Sequence, residues 1–177
     1  MVQDTKIFIN YRQIDCSPLA DHLARTFKER LNGDSFFLDK ETIGYGKSIT
    51  DEIRQHLHST KALVVLIGPN WHWVQDRDGD KRLLNPDDWV RREIEIAVEK
   101  SKLVVPVLYN DANHASICDW LKRKVPSLAF LEDLKCFHIS EKALESDTQR
   151  LLDYLEAELQ LKLQPASLPS PISEQQG

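Results

Sequence analysis

The sequence is poor in the residues that build metal centres and disulfide frameworks. It has three cysteines in 177 residues, Cys16, Cys118 and Cys136, which lie far apart. An odd, scattered set of cysteines is typical of proteins from a reducing compartment. No Cys-x-x-Cys or His-Glu-x-x-His pattern occurs, and His56 and His58 are spaced so that they do not share a helix face. The sequence therefore predicts no metal site.

Long apolar runs and an excess of positive charge are also absent. The formal net charge is −5, from 23 basic and 28 acidic residues. Nucleic acid binding requires a clustered basic face, which this composition does not favour. No segment has the length of a membrane span or the pattern of a signal peptide. We expect a cytoplasmic protein that binds neither nucleic acid nor a membrane.

The segment "FFLDKETIGYGKSITDEI", residues 36–53, resembles a phosphate-binding P-loop in its Gly-Lys-Ser sequence. A P-loop also requires a glycine five positions earlier, where the backbone wraps the phosphates. That position holds Glu41, whose carboxylate would repel phosphate oxygens. Nucleoside triphosphate hydrolysis is therefore disfavoured, and this loop needs another explanation.

Short apolar runs alternate with helical patterns along the chain, which favours a parallel sheet covered by helices on both faces. We expect a flavodoxin-like α/β fold with five strands in the order 2-1-3-4-5. Pro106 within the fourth strand suggests an edge or a bulge. The first helix is expected to begin at Ser17-Pro18, an N-cap followed by proline. The predicted strands are "KIFIN" (6–10), "SFFL" (35–38), "ALVVLIG" (62–68), "LVVPVLY" (103–109) and "LKCFHI" (134–139).

The chain is predicted to form one domain over residues 1–163. The end of the sequence, residues 164–177, is rich in proline, serine and glutamine and has almost no apolar periodicity. Such a composition is typical of a flexible tail or a linker.

Parallel α/β sheets bind ligands at the carboxyl ends of their strands. The first predicted strand ends at Asn10 and is followed by Tyr11 and Arg12, and the second is followed by Asp39 and its loop. The third ends near Gly68 and leads, through a long polar segment, to the helix "DWVRREIEIAVEKS". We expect a site at this edge of the sheet.

The chain contains the segments "KIFINYRQID", "FFLDKETIGYGKSITDEI", "ALVVLIGPNWHW" and "PDDWVRREIEIAVEKSKLVVPVLY". Together they resemble a TIR (Toll/interleukin-1 receptor) domain of the prokaryotic type. The resemblance covers roughly residues 4–160, although the family usually has serine at the position of Asn10. It implies that residues 39–47 form a mobile contact and gating loop, through which the domain associates with other TIR domains.

Two functions are compatible with this resemblance. Some TIR domains cleave the nicotinamide–ribose bond of NAD+, whereas others are adaptors that only assemble. The enzymes carry a glutamate four residues after an aromatic position, which here corresponds to Trp89 and Glu93. We favour an NAD+ hydrolase in bacterial defence or signalling, activated by self-assembly, with the non-catalytic adaptor as the alternative. NAD+ would be a substrate and not a resident cofactor, since no Gly-x-Gly-x-x-Gly follows the first strand. The product, linear or cyclic ADP-ribose, stays open.

The resemblance implies a catalytic role for Glu93. One carboxylate suffices for this reaction, because nicotinamide leaves as a neutral molecule and needs no general acid. Residues i and i+4 share a helix face, so Trp89 is expected to face the same volume as Glu93. Val98 is expected to belong to the apolar stripe of this helix, and Glu95 to face solvent. The predicted substrate-binding residues are Asn10, Arg12, Asp39, Gly44, Lys47 and Trp89, with Arg12 and Lys47 near the pyrophosphate.

Overall fold

Five parallel strands form the centre of the molecule. The structure is a computed structural model that describes residues 6–31, 36–38 and 49–161. Every pair of neighbouring strands is parallel, and their order in the sheet is β2-β1-β3-β4-β5. The predicted α/β class with a parallel sheet is confirmed. The strands are β1 (Ile7–Asn10), β2 (Phe36–Leu38), β3 (Ala62–Ile67), β4 (Leu103–Tyr109) and β5 (Phe137–Ile139).

Helices pack on both faces of this sheet because the strands are apolar on both sides. Ile7 and Ile9 belong to one hydrophobic cluster with residues of the first and last helices, while Phe8 belongs to a second cluster with residues of the three helices between them. This alternation is the period of two that a strand imposes on its side chains. The helices are α1 (Gln13–Arg30), α2 (Ile49–Ser59), α3 (Trp89–Glu99), α4 (His114–Lys124) and α5 (Leu144–Leu159), with short 3-10 helices at Arg82–Leu84, Pro126–Asp133 and Glu141–Ala143.

Helix α1 begins earlier than the sequence predicts. The expected start at Ser17-Pro18 fits the longer segment after a kink, but one more turn precedes it, in which the amides of Asp15 and Cys16 donate to the carbonyl of Arg12. Cys16 then leaves helical geometry, with φ −130° and ψ 15°. Pro18 lacks an N–H and cannot continue the hydrogen-bond ladder across this point, which fits a kink here. The added turn brings Asp15 towards the carboxyl end of β3.

Strand β4 lies inside the sheet and is not the edge strand that Pro106 suggested. It pairs with β3 over residues 103–108 and with β5 over residues 107–109. Pro106 precedes the first residue that faces β5, so its missing N–H interrupts no ladder with that strand. A proline is therefore compatible with an internal strand whose second partner is short.

The polar segment after β3 is ordered by a small antiparallel hairpin, which we define as residues 74–82. Gln75 and Lys81 form an isolated bridge, and the amide of Arg82 donates to the carbonyl of Val74 at 2.9 Å. Gly79 at the turn has φ +86°, a conformation that favours glycine. Trp71 before the hairpin is fully buried, and Leu83 after it is 1% exposed. The hairpin is thus anchored in the core at both ends.

No helix in the described ranges is long and apolar enough to cross a membrane.

Candidate functional site

Glu93 and Asn10 meet at the carboxyl end of β1. The Asn10 side-chain amide donates to Glu93 Oε2 at 2.5 Å and to the carbonyl oxygen of Val90 at 3.1 Å. Asn10 is 1% exposed and Glu93 is 3% exposed. A buried carboxylate is stable only when its oxygens are hydrogen-bonded. Asn10 therefore offsets the free-energy cost of burying the Glu93 carboxylate and also fixes its orientation.

A buried ion pair joins the same end of β1 to the start of α3. Both terminal nitrogens of Arg12 donate to the two carboxylate oxygens of Asp88, each at 2.7 Å. Asp88 is also the N-cap of α3, where its side chain accepts from the amide of Arg91 at 3.1 Å. Aspartate suits this place because it satisfies a free amide and complements the positive end of the helix dipole. Asp88 therefore holds the first turn of α3 through two contacts, one with the Arg12 side chain and one with the Arg91 amide.

The apolar face of α3 explains why Glu93 points inward. Val90, Ile94 and Ala97 are buried against the sheet, and Glu93 lies on the same side of the helix. Val98 was expected in this stripe, but it is 43% exposed, so that prediction is wrong. The strip of α3 that meets the sheet is narrow, and position 98 falls outside it.

The outer face of α3 carries a network of its own. Arg91 Nε lies 2.8 Å from Glu95 Oε1, the pair expected from their spacing of four residues. The same oxygen of Glu95 accepts from the hydroxyl of Ser127 at 2.6 Å. Glu95 therefore links α3 to the segment after α4, whereas Glu99 is exposed at the end of the helix.

A cleft of about 370 Å³ opens above this buried layer. Trp89 lines it, but Glu93, which lies one helical turn below, does not. The expectation that the two side chains face the same volume stays a prediction. The lining consists of Tyr11, Arg12, Gln13, Asp76, Arg82, Asn85, Asp87, Asp88, Trp89 and Val90.

Asp15 lies directly against the backbone of Gly68 at the end of β3. A methyl group at Gly68 would come within 2.3 Å of the Asp15 carboxylate, so only glycine admits this approach. Asp15 Oδ1 accepts from the amide of Asn70 at 3.2 Å. Burial raises the pKa of the Asp15 carboxyl, and the amides of Asn70 and Gly68 oppose the increase. Asp15 thus ties the kinked start of α1 to the loop after β3.

Cysteine and metal chemistry find little support here. Burial raises the pKa of Cys16 to about 12 and that of Cys136 to about 11, so both remain protonated thiols at neutral pH. Within the described residues, no group of three histidine, cysteine, aspartate or glutamate side chains could hold a metal ion.

The structure brings together Asn10, Arg12, Trp89 and Glu93, four of the seven predicted site residues. Asp39, Gly44 and Lys47 lie outside the described residues, as does the predicted contact loop. Sequence reasoning missed Asp88, although an aspartate just before a helical pattern is a recognised N-cap signal. It also missed Asp15 and Arg82, which carry no local signal, since their positions depend on tertiary contacts.

Comparisons with known proteins agree on one family. A family model described as "TIR domain" matches residues 7–152. The structure is similar to the TIR domains of the activated Roq1 resistosome that recognises the pathogen effector XopQ, with 15% identity, a TM-score of 0.64, and coverage of 85% of this chain and 99% of that one. It is also similar to the TIR domain of the Toll-related receptor TRR-2 from Hydra magnipapillata, with 15% identity, a TM-score of 0.53, and coverage of 84% and 94%. No curated protein sequence matches the chain.

Proposed function

Because this chain belongs to the TIR domain family, we propose that it is an NAD+ hydrolase that cleaves the nicotinamide–ribose bond with Glu93 as its catalytic carboxylate. The observation that supports this proposal is the buried contact between Asn10 and Glu93 at 2.5 Å. Burying a carboxylate is costly, and an exposed adaptor surface gives no reason for that cost. We place the activity in a bacterial defence or signalling response in the cytoplasm.

The chemistry requires little more than a fixed negative charge. The C–N bond between ribose and nicotinamide breaks, its electron pair goes to the nicotinamide ring nitrogen, and the ring leaves as a neutral molecule. Positive charge then develops on the sugar, where the carboxylate of Glu93 stabilises it. Water or the adenine of the same molecule completes the reaction and gives linear or cyclic ADP-ribose. Asn10 keeps the carboxylate oriented throughout.

Glu93 must become accessible before it can meet a ribose. It is 3% exposed and is not among the residues that line the cleft. A competent state that is a minor fraction of the molecules lowers the observed activity by that fraction. Association of TIR domains through residues 39–47 would raise this fraction, so specific activity should increase with protein concentration. A flat profile across a wide dilution series argues against activation by self-assembly.

The decisive experiment compares nicotinamide release by three proteins. Purified wild type, Glu93→Gln and Glu99→Gln are incubated with NAD+, with and without a crowding agent, and nicotinamide is measured by chromatography. Glutamine keeps the shape and an acceptor oxygen but removes the charge, so Glu93→Gln should lose about 10²–10³ in rate. Glu99 is exposed on the same helix, and its variant should match wild type. If Glu93→Gln keeps the wild-type rate, Glu93 is not the catalytic residue.

The second candidate is a non-catalytic adaptor. One observation favours it: Glu93 does not contribute to the lining of the cleft in this structure. In that case Asn10 and Glu93 would only connect β1 with α3. Wild type that releases no nicotinamide, even when crowded at high concentration, would support the adaptor.

A further inference from the structure

The cleft contains two guanidinium groups that differ sharply in availability. Arg12 is 3% exposed, and both of its terminal nitrogens are bound to Asp88. Arg82 is exposed, and its guanidinium makes no hydrogen bond or ion pair with the residues that the structure describes. Of the two guanidinium groups in the described cleft lining, that of Arg82 is therefore the one available to bind a ligand.

The backbone of Arg82 is nevertheless held in place. Its amide donates to the carbonyl of Val74 at 2.9 Å, and the following residue, Leu83, is buried. On the other side, the Lys81 ammonium lies 3.4 Å from the ring centroid of Trp73 and 5.3 Å from that of Trp120. Cation–π contacts of this kind stabilise the hairpin at its base. Arg82 is thus a free side chain on a fixed support, which lowers the entropic cost of binding.

The carboxylates of the cleft already have other partners. Asp88 binds Arg12, and Asp87 lies 4.0 Å from Arg92. Asp76 Oδ1 accepts from the amides of Asp78 and Asp80 inside the hairpin turn. The local charge of Arg82 is therefore not cancelled by a direct ion pair in the described cleft. An anionic ligand that enters the cleft would meet it.

We propose that Arg82 binds the pyrophosphate of the dinucleotide substrate. This inference rests on the proposed function, because NAD+ carries two phosphates between its sugars. A guanidinium matches phosphate oxygens through two parallel hydrogen bonds, and such charge-assisted bonds are the stronger kind. Arg12, which the sequence predicts near the pyrophosphate, instead positions α3 through Asp88. In this arrangement the pyrophosphate of the substrate lies against the hairpin that follows β3.

The kinetic test compares a substrate that has phosphates with one that has none. Wild type, Arg82→Gln and Arg77→Gln are assayed with NAD+ and with nicotinamide riboside. We expect Arg82→Gln to raise the KM for NAD+ about 10-fold or more, with little change in kcat, and to leave riboside cleavage as in wild type. Arg77 lies in the same hairpin but does not line the cleft, so its variant is the matched control.

A binding test keeps this inference separate from the proposed function. ADP-ribose binding is measured by calorimetry on the same three proteins, and it needs no turnover. Weaker binding by Arg82→Gln, with binding by Arg77→Gln unchanged, supports the inference even if wild type cleaves no NAD+. Equal ADP-ribose binding by wild type and Arg82→Gln, or no binding by wild type, overturns it. A matching loss of riboside cleavage also overturns it, because the substitution would then act through the fold.

Discussion

Arg12 and Asp88 are joined by two hydrogen bonds of 2.7 Å between side chains that are 3% and 7% exposed. These bonds connect the end of β1 with the N-cap of α3, two segments that are 76 residues apart in the sequence. The contact between Asn10 and Glu93 lies one turn further along the same helix. The ion pair therefore fixes the helix end that carries the candidate catalytic residue.

Replacing Asp88 by asparagine should destabilise the protein strongly. Asparagine remains a good N-cap, so the helix start is preserved, but the buried guanidinium of Arg12 loses its counter-charge. Breaking a buried pair in this way typically costs about 3–5 kcal/mol of unfolding free energy. The measurement is chemical denaturation of wild type, Asp88→Asn and Asp87→Asn. Asp87 is 87% exposed and 4.0 Å from Arg92, so its variant should lose less than about 1 kcal/mol.

Replacing Asn10 by aspartate should make stability depend on pH near Glu93. Two carboxylates would then share one buried site, and their repulsion would raise the pKa of the pair. The destabilisation should be largest at alkaline pH, where both are ionised, and should decrease as the pH falls and one of them takes up a proton. Asn10→Ser introduces no charge and should show this trend only weakly. Denaturation of both variants at pH 5, 7 and 9 tests the prediction, which parallel curves would contradict.

Acid should weaken the fold through His72. This side chain is 4% exposed and packs against the rings of Trp73 and Trp120. Burial, followed by the nearby charge of Lys81, lowers its pKa from 6.5. The unfolded chain then binds a proton more readily than the folded one, so unfolding free energy should fall as the pH drops below 6.5.

Comparing unfolding free energies at pH 7.5 and pH 5.5 isolates the contribution of His72. His72→Phe keeps an aromatic ring there without a titrating group and should lose less stability between the two pH values than wild type. His58→Gln, at an exposed position of α2, is the control and should follow wild type. Identical losses for wild type and His72→Phe would show that His72 does not couple to acid unfolding.

Replacing Lys81 by methionine should loosen the hairpin without unfolding the domain. Methionine preserves much of the side-chain length but removes the charge that lies 3.4 Å from the Trp73 ring centroid. The loss of such a contact is worth about 0.5–2 kcal/mol. Hydrogen exchange should accelerate over residues 74–82 and stay constant in β3. Lys100→Met, at an exposed position, provides the control. If hydrogen exchange in the hairpin of Lys81→Met is unchanged, the prediction is wrong, and the bridge between Gln75 and Lys81 is the main contact that stabilises the hairpin.

The sequence was sufficient for the features that follow from periodicity. Continuous apolar runs predicted buried parallel strands, and the rule that ligands bind at strand ends correctly grouped Asn10 with the helix of Glu93. Asp88, which the sequence analysis did not single out, carries a local signal as well, because helix starts favour aspartate. These properties depend on near neighbours along the chain.

The remaining features depend on contacts between distant segments. The partner of Arg12 is 76 residues away, and no local pattern selects Asp88 over Asp87. The hairpin looked like a polar loop because its anchors, Trp71 and Leu83, lie outside it and have no periodic spacing. The burial of Glu93 depends on how closely α3 packs on the sheet, which helix periodicity does not specify.

The short pairing between β4 and β5 affects how the protein behaves at high concentration. Over the described residues, β5 covers only residues 107–109 of β4 and leaves the earlier part of that strand without a neighbour on this side. An uncovered strand can template the addition of another chain, which is a route to insoluble fibrils. Pro106 has no N–H to offer such a chain, and the cations Lys135 and Arg150 border the same opening. A residue that first appears to be a defect in the strand thus removes one backbone donor that an added chain would need.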